Sequence, residues 1–216
     1  MPRTPWTSMA AVAALMLIPV MPMRAQRIGI VAGGTFSHVS GLANVTAKSR
    51  EGTMFGATIT LPLSKGVALQ PEALFINKGS AFDVSGGGTR NVKLDYLEVP
   101  LLLRFDRHLT SAIGPHFYLG PSVGFNLSCS VTVSGSGIPK SASDCTRDDF
   151  FHPAALDWSA IAGAGLDLSI GGVGVTGGAR YGVGLANVSK DDGTALQQRA
   201  RNGTLTVYAG VLFGRR

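Results

Sequence analysis

Residues 96–105 read Tyr-Leu-Glu-Val-Pro-Leu-Leu-Leu-Arg-Phe, and this stretch decides the fold. Taken in steps of two, the odd positions from Leu97 to Phe105 are all apolar, while the even positions include the charged Glu98 and Arg104. A period of two is that of a β-strand, whose side chains alternate between two faces. The stretch therefore predicts a strand with one apolar face and one face that holds charge.

The composition favours a single, mildly hydrophobic all-β domain. The 216 residues include 29 glycines, only 15% charged side chains and a formal net charge of +6. The basic residues are scattered and are not clustered with aromatic residues, so no nucleic-acid partner is expected. Excess positive charge is equally suited to the anionic phosphates of a membrane surface.

The first 25 residues are organised like an export signal. Arg3 gives a positive start, Met9–Val20 an apolar segment, and residues 23–25 a cleavage site that ends in alanine. The apolar run is too short, and too interrupted by proline, to span a membrane as a helix. We expect a signal peptide over residues 1–25 and one exported domain over residues 26–216.

The alternation recurs along the exported domain and predicts eight strands. They are Arg27–Ser37, Thr53–Leu63, Val67–Asn77, Val92–Phe105, Ile113–Val131, Leu156–Ile170, Val173–Val188 and Gly203–Gly214. Long polar loops are expected at 38–52, 78–91, 132–153 and 189–202, and short links at 64–66, 106–112 and 171–172. Antiparallel strands whose connections alternate in length place all long loops at one end, as in outer-membrane barrels.

The composition of the two faces distinguishes a membrane barrel from a soluble one. The polar faces are rich in Gly, Ser and Thr, which suit the narrow interior of an eight-stranded barrel and leave no room for a pore. The apolar faces carry no charged residue in the segments assigned to the bilayer, where a basic side chain costs about 2–4 kcal/mol at the midplane. We therefore expect an all-β, eight-stranded antiparallel up-and-down transmembrane β-barrel. The alternative is a soluble, lipocalin-like ligand-binding barrel, whose apolar face would point inward.

Four charged residues on the polar faces are expected to form a charge network in the lumen. They are Glu72, Glu98, Arg104 and Arg180. The hypothesis is that Arg180 reaches across the narrow interior to Glu72 and Glu98, because a buried carboxylate is tolerated only when it is paired and hydrogen-bonded. An Arg180 more than about 6 Å from both carboxylates would exclude this arrangement.

Cys129 and Cys145 are the two cysteines of the chain. In an exported protein their spacing favours a loop-closing disulfide, worth about 3 kcal/mol by the loop-entropy estimate. Two cysteines without a histidine cluster make a poor metal site.

Other candidate ligand sites are also weak. Asp191 and Asp192 are adjacent in the sequence but lack the ligand spacing of a calcium loop. Residues 172–177 match Gly-x-Gly-x-x-Gly but lead into a strand where a dinucleotide site needs a helix. No cofactor or metal is expected.

Several motifs resemble those of the PorT-like outer-membrane β-barrel family. They are Leu69–Phe75 with its Gln-Pro-Glu centre, Asp95–Arg104, Tyr118–Pro121, Gly177–Tyr181 and the last strand, which ends in glycine. The resemblance covers essentially the whole exported domain. It implies an eight-stranded outer-membrane barrel, and it implies no defined biochemical activity.

The expected function is a structural or interaction role through four long extracellular loops. The third loop, which a Cys129–Cys145 bond would tie at its base, is the best candidate for a partner surface. Expected partners are outer-membrane lipid and lipopolysaccharide, the barrel-assembly machinery, and an unidentified extracellular or envelope partner. Tyr208, Gly210 and Phe213 resemble the spacing of the assembly signal, although Arg215 stands where that signal ends on a hydrophobic residue.

The alternative function is that of a lipid A-modifying enzyme, although no catalytic residue is assigned. Lipid A-modifying barrels carry Ser, His and acidic groups at the extracellular rim. Such groups occur in two predicted loop regions, Ser37, His38 and Ser40 in one and Asp148, Asp149 and His152 in the other. Serine–histidine chemistry requires hydrogen-bond contact, which the sequence does not show. The other two histidines, His108 and His116, are placed near the periplasmic end.

Overall fold

The computed structural model describes residues 26–40, 47–84, 88–107, 110, 112–135, 138–145, 154–170, 173–185 and 201–214. Nearly all of these residues lie in nine strands. The strands are β1 (Arg27–Ser40), β2 (Ala47–Ser64), β3 (Val67–Val84), β4 (Gly88–Asp106), β5 (Ile113–Gly135), β6 (Ile138–Asp144), β7 (Leu156–Ile170), β8 (Val173–Gly184) and β9 (Arg201–Phe213). In these described ranges, no helix is long and apolar enough to cross a membrane. The predicted signal peptide lies outside the described residues.

Eight of the strands close into an antiparallel barrel. They pair in the order β4-β3-β2-β1-β9-β8-β7-β5, and β4 also pairs with β5. Closure pairs the backbone groups that lipid could not solvate. The predicted fold class is confirmed. The additional strand, β6, was not predicted. It pairs with β5 beyond the barrel wall.

The outward side of the barrel carries a band of large apolar side chains, here called the lipid-facing band. On β4 the odd positions from Leu97 to Phe105 are 37–48% exposed, while Glu98 and Arg104 are only 3% and 2% exposed. A contiguous exposed apolar surface of this kind belongs against lipid. The apolar-inward arrangement of a lipocalin-like barrel is therefore wrong for this chain.

Several strands continue well past their predicted ends on the side of the long loops. The predicted loops at 38–52, 78–91 and 132–153 are strand over much of their described length, because β1 to β5 extend into them and β6 lies within the third. These extended hairpins satisfy their own backbone hydrogen bonds by pairing, so polar sequence there does not imply irregular loop. The prediction that these three places are long polar loops is wrong for most of the residues described there.

The extended segments invert the polarity of the wall. On β4 the outward positions change from Leu97 to Asp95 and Lys93, while the buried positions become Leu94 and Val92. Polar side chains outside and apolar side chains inside are the arrangement of a soluble sheet. We call residues 79–95 and 128–145 the extracellular extension, because long loops of outer-membrane barrels face the exterior.

A β-bulge on β5 accompanies the inversion. Asp95 pairs with Ser128, whereas Tyr96 pairs with Asn126, so Leu127 is an extra residue on β5. An extra residue shifts the alternation by one position. Beyond the bulge, Val131 is therefore buried where continued alternation would have turned it outward.

The extracellular extension has an apolar core closed by a disulfide. The buried members are Phe82, Val92, Leu94, Val131 and Cys145, with Cys129 and Val133 packed against them. Cys129 and Cys145 are bonded to each other, with a Cα–Cα distance of 5.5 Å. The predicted disulfide is confirmed, and it ties the end of β6 to β5.

The outward side just above the lipid-facing band carries a polar cluster around Asp95. Its carboxylate accepts hydrogen bonds from Asn77, from Lys93 at 3.1 Å and from Ser128 at 2.8 Å. Burial acts to raise the pKa of the Asp95 carboxyl, but these hydrogen bonds outweigh it, and the pKa lies below its ordinary value. The cluster marks the level at which the outer surface leaves the lipid.

Candidate functional site

The lumen of the barrel is filled by charged side chains in three tiers. The lower tier lies next to the short link after β4 and centres on Asp167. Arg104 donates to Asp167 at 2.6 Å and to Asp106 at 2.8 Å, and Arg27 donates to Asp167 at 2.9 Å. His116 Nδ1 lies 3.4 Å from Asp167 Oδ1. The charged groups of this tier are buried except for the partly exposed Asp106, and each has an opposite charge beside it.

The middle tier is the ion pair of Arg180 with Glu72. The guanidinium lies 2.5 Å from the carboxylate and 4.9 Å above the ring of Tyr208. Gln70 donates to Glu72 at 2.7 Å and accepts a hydrogen bond from Arg104 at 3.0 Å. Gln70 therefore links the middle tier to the lower one.

The upper tier lies toward the extracellular extension. The ammonium of Lys78 is 2.8 Å from Glu98 and 5.3 Å from the centre of the Tyr96 ring. Ser122 donates to the other oxygen of Glu98 at 2.9 Å. Asp157 accepts a hydrogen bond from Asn202 at 3.2 Å. This tier has two carboxylates and one cationic side chain.

The structure brings together some of the sequence-predicted lumen residues and separates others. Arg180 is paired with Glu72, whereas Glu98 is paired with Lys78. Arg104 joins the network through Asp167 and Gln70. The predicted four-residue set is thus divided among all three tiers.

Lys78 is the lumen residue that sequence reasoning missed, because it was placed in the predicted loop at 78–91. The signal was present: Lys78 continues the even-numbered face of β3 on which Gln70 and Glu72 lie. Arg27, Asp157 and Asp167 alternate with the apolar positions of their predicted strands, but the sequence offered no means of choosing their partners across the barrel.

Glycines on the wall leave the space that the large lumen side chains occupy. A β-carbon built on Gly163 would lie 2.6 Å from the Tyr118 ring, and one on Gly165 would lie 2.6 Å from His116 Nε2. A cavity between the middle and upper tiers measures about 20 Å³, which is room for about one water molecule. Over the described residues the lumen is therefore packed.

Asp106, His116 and Asp167 also offer ligand atoms that all lie within 4.8 Å of one another. The same carboxylates already accept hydrogen bonds from the guanidinium groups of Arg27 and Arg104. Two fixed cations at a site oppose the entry of a metal ion. We therefore interpret this cluster as the lower tier of the charge network.

The rim residues of the enzymatic alternative are placed only in part. Ser37 is buried inside the wall and accepts a hydrogen bond from Thr204 at 3.2 Å. His38 lies on the opposite face of β1 from Ser37. There it shares the space over Gly203 with Tyr181, since a β-carbon built on Gly203 would be 2.6 Å from His38 Cε1 and 2.7 Å from Tyr181 Oη. Ser37 and His38 therefore do not form a hydrogen-bonded pair. The remaining rim groups lie outside the residues or side chains described: Ser40, Asp148, Asp149 and His152. So do His108 of the predicted periplasmic turn and the loop residues Asp191 and Asp192.

The residues of the predicted assembly signal lie on β9, and their side chains point to different faces of the strand. Tyr208 is buried in the lumen and accepts a hydrogen bond from Tyr118 at 3.1 Å, while Phe213 is 51% exposed on the outward side. Gly210 lies between them on the strand. Their recognition by the assembly machinery stays a prediction.

A closed barrel with a lipid-facing band and a packed, charged lumen defines an integral outer-membrane protein. Residues 21–190 match the family model described as outer membrane protein beta-barrel domain. The chain belongs to this family.

Three solved structures are similar in shape. OprG from Pseudomonas aeruginosa shares 12% identity, covers 89% of this chain and 98% of its own, and has a TM-score of 0.51. Neisserial surface protein A shares 14% identity over 85% of this chain and 96% of its own, with a TM-score of 0.48. Ail of Yersinia pestis shares 14% identity over 87% of this chain and 99% of its own, with a TM-score of 0.41. The likeness to OprG supports the barrel fold alone. No curated protein matches the chain in sequence.

Proposed function

We propose that the protein is a non-conducting barrel of the PorT-like type that acts through its extracellular extension, in a structural or binding role. The observation that carries the proposal is the packed lumen. Three tiers of paired side chains, with a cavity of only about 20 Å³ between the upper two, leave no path for a solute along the described part of the barrel. A barrel closed in this way can still act as a structural or binding element at its outer surface.

The extension is suited to binding because it is held rigid. Its strands are paired, its inner side is apolar, and the Cys129–Cys145 disulfide fastens β6 to β5. A preorganised surface loses little conformational freedom when a partner binds. We therefore assign the partner surface to the β5–β6 hairpin.

The proposed partners follow from position. Outer-membrane lipid and lipopolysaccharide would surround the lipid-facing band, the barrel-assembly machinery would recognise β9 during insertion, and an extracellular or envelope partner would meet the hairpin. The proposal includes no enzymatic activity. Mass spectrometry of lipid A from cells with and without the protein tests that part, and a modification lost in a His38→Ala variant would contradict it.

The hairpin is tested by replacing residues 132–142 with a two-residue turn while both cysteines are kept. We expect the shortened protein to fold, as judged by heat-modifiable gel mobility, and to lose the partner captured from intact cells by the full-length protein. A matched control shortens the link at 107–112 on the opposite end of the barrel and should keep the partner.

Two results would contradict the proposal. Capture of the same partner by both variants would remove the hairpin from the binding surface. A steady single-channel conductance from the wild-type protein in planar bilayers would show that the lumen is open.

A further inference from the structure

Another β-bulge lies on β2, at the upper end of the lipid-facing band. Residues 50–53 of β2 lie opposite residues 77–79 of β3, so β2 has one residue more than its neighbour. A bulge of this kind re-aims the side chains beside it. Continued alternation from the buried Met54 would have turned Arg50 into the lumen, but Arg50 is partly exposed.

The guanidinium of Arg50 is directed toward the outer surface of β3 and β4. Its stem passes over Gly79, because a β-carbon built on Gly79 would lie 3.3 Å from Arg50 Cδ. The carboxylate that acts on the Arg50 charge is that of Asp95, which lies on the outward side. Gly79 pairs with Lys93 of β4, so Arg50 leans across β3 toward Lys93. The two cations thus stand on either side of a residue that has no side chain.

Two cationic side chains and one carboxylate meet here, which leaves one surplus positive charge. Lys93 Nζ lies 3.1 Å from Asp95, and the Lys93 side chain is 41% exposed. Within the described ranges, Arg50 has one hydrogen bond, to the backbone carbonyl of Lys78 at 3.5 Å, and no ion pair. Partial burial lowers the pKa of the Arg50 guanidinium more than the Asp95 carboxylate raises it. Arginine stays charged even so, and a partly desolvated charge favours an added anion.

The neighbouring charges leave this surplus in place. Lys48 and Asp83, further along β2 and β3, form an ion pair with each other at 2.9 Å. Glu51 is exposed beside Phe36 of β1, and no ion pair joins it to Arg50 in the described part of the chain. An anion that approaches Arg50 therefore meets an excess of positive charge.

The surplus charge lies at the level of the lipid headgroups. Leu97, two residues from Asp95 on the outward side of β4, is 39% exposed in the lipid-facing band, and Phe55, just below the bulge on β2, is 56% exposed. Lipid A, the membrane anchor of lipopolysaccharide, carries its phosphate groups directly above its acyl chains. Phosphate oxygens accept charge-assisted hydrogen bonds from arginine and lysine. A guanidinium has five N–H donors and an ammonium has three, and Arg50 and Lys93 each use one toward the described residues.

We propose that Arg50 and Lys93 bind a phosphate group of lipid A over Gly79, at the outer surface of β2, β3 and β4. The inference rests on the proposed function, which places lipopolysaccharide around the wall, and it names the contact. The phosphate offsets the surplus positive charge, while Asp95 holds Lys93 in position through their ion pair. The acyl chains of the same lipid lie along the lipid-facing band below, so one lipid molecule is held at both its charged and its apolar part.

The test is native mass spectrometry of the mature protein in detergent without divalent cations, with lipid A added either bisphosphorylated or with both phosphates removed. We expect the wild-type protein to bind the bisphosphorylated lipid about tenfold more tightly. Arg50→Gln combined with Lys93→Gln should lose this preference. Heat-modifiable gel mobility shows that each variant is folded.

The matched control is Lys65→Gln combined with Arg107→Gln, which removes the same two kinds of charge from exposed positions at the opposite end of the barrel. It should keep the full preference. The variant shortened at 132–142 retains Arg50 and Lys93 and should also keep it, even where it loses its captured partner. Failure of the hairpin surface and failure of the lipid site are thereby told apart.

Three results would overturn the inference. The first is a preference for phosphorylated lipid A that persists without Arg50 and Lys93. The second is a preference that the control variant loses to the same extent. The third is binding of inorganic phosphate as tight as that of lipid A, because the site would then recognise free phosphate and not the lipid.

Discussion

The transmembrane wall and the extracellular extension are built from the same strands with opposite polarity. Within the lipid-facing band, β4 turns leucines outward and Glu98 inward; beyond it, the same strand turns Asp95 outward and Leu94 inward. Backbone pairing is continuous through the change, so the solvent and not the sheet determines which face is apolar. The comparison shows where the membrane ends.

The two regions are also stabilised by different interactions. The lumen of the wall excludes water but lies inside an apolar shell, so its polar groups must be paired with one another. The extension has a core like that of a soluble protein, in which Phe82, Val92 and Val131 pack beside a disulfide. Changes in charge pairing should therefore act mainly on the wall, and changes in apolar packing or in the disulfide should act mainly on the extension.

The largest effect is expected from breaking the middle tier. Arg180→Met leaves Glu72 buried without its cation and should lower the free energy of unfolding by about 3–5 kcal/mol. Arg180→Met combined with Glu72→Gln removes the stranded charge and should recover most of this loss. Urea unfolding in lipid vesicles measures both. A single variant within about 1 kcal/mol of wild type would show that the pair is not buried as described.

The second prediction compares one substitution on either side of the boundary. Leu101→Arg places a guanidinium in the lipid-facing band and should cost about 2–4 kcal/mol. Asn91→Arg places it on the outward side of the extension and should cost close to nothing, because that side meets water. The same vesicle unfolding assay gives the two values. Equal costs would contradict the inversion of polarity along β4.

A smaller effect, confined to the extension, is expected from removing the disulfide. Replacing Cys129 and Cys145 by serine should lower stability by up to about 3 kcal/mol, the estimate for a loop of this length. Because the bond fastens β6 to β5, the loss should appear as faster hydrogen exchange in residues 128–145, with the wall unchanged. Exchange that quickens equally in β7 and β8 would contradict the separation of the two regions.

The smallest effect concerns Asp95 at the boundary. The pKa of this carboxyl is lowered in the folded protein, so its contribution is present at pH values above the ordinary carboxyl pKa of about 3.9 and is lost as the pH falls through its lowered pKa. The stability difference between wild type and Asp95→Asn should therefore be constant near neutral pH and shrink below about pH 4.

The control for Asp95 is Asp83→Asn. Asp83 pairs with Lys48, but both side chains are more than half exposed, so the substitution should change stability less at every pH. Unfolding midpoints measured across the acid range give both curves. A wild-type advantage over Asp95→Asn that grows as the pH falls would have the wrong sign.

The wall could be predicted from the sequence because the bilayer imposes a strict pattern on it. Leu156–Ile170 was predicted to the residue, and the alternation at 97–105 was assigned to the correct faces. The extension could not be recognised in this way. The predicted strands Val92–Phe105 and Ile113–Val131 run past the boundary, but the polarity is reversed in Val92–Asp95 and the bulge at Leu127 shifts the pattern on β5. One repeating apolar face therefore does not reveal the change.

The lumen contacts needed the closed barrel. Alternation predicted that Glu72, Glu98, Arg104 and Arg180 face inward, which requires only local geometry. Which cation meets which carboxylate depends on the stagger of strands across the interior, and this information is not local. Lys78 was assigned to a loop and is the partner of Glu98.

The inversion is tested most directly by spin labels placed one at a time on the outward side of β4, at positions 91, 93, 95, 97, 99, 101 and 103, in the protein reconstituted into bilayers. Collision with dissolved oxygen reports lipid, and collision with a water-soluble nickel chelate reports water. We predict chelate access at 91–95 and oxygen access without chelate at 97–103, with the change between 95 and 97. Chelate access at 101, or oxygen-only access at 91, would contradict the account.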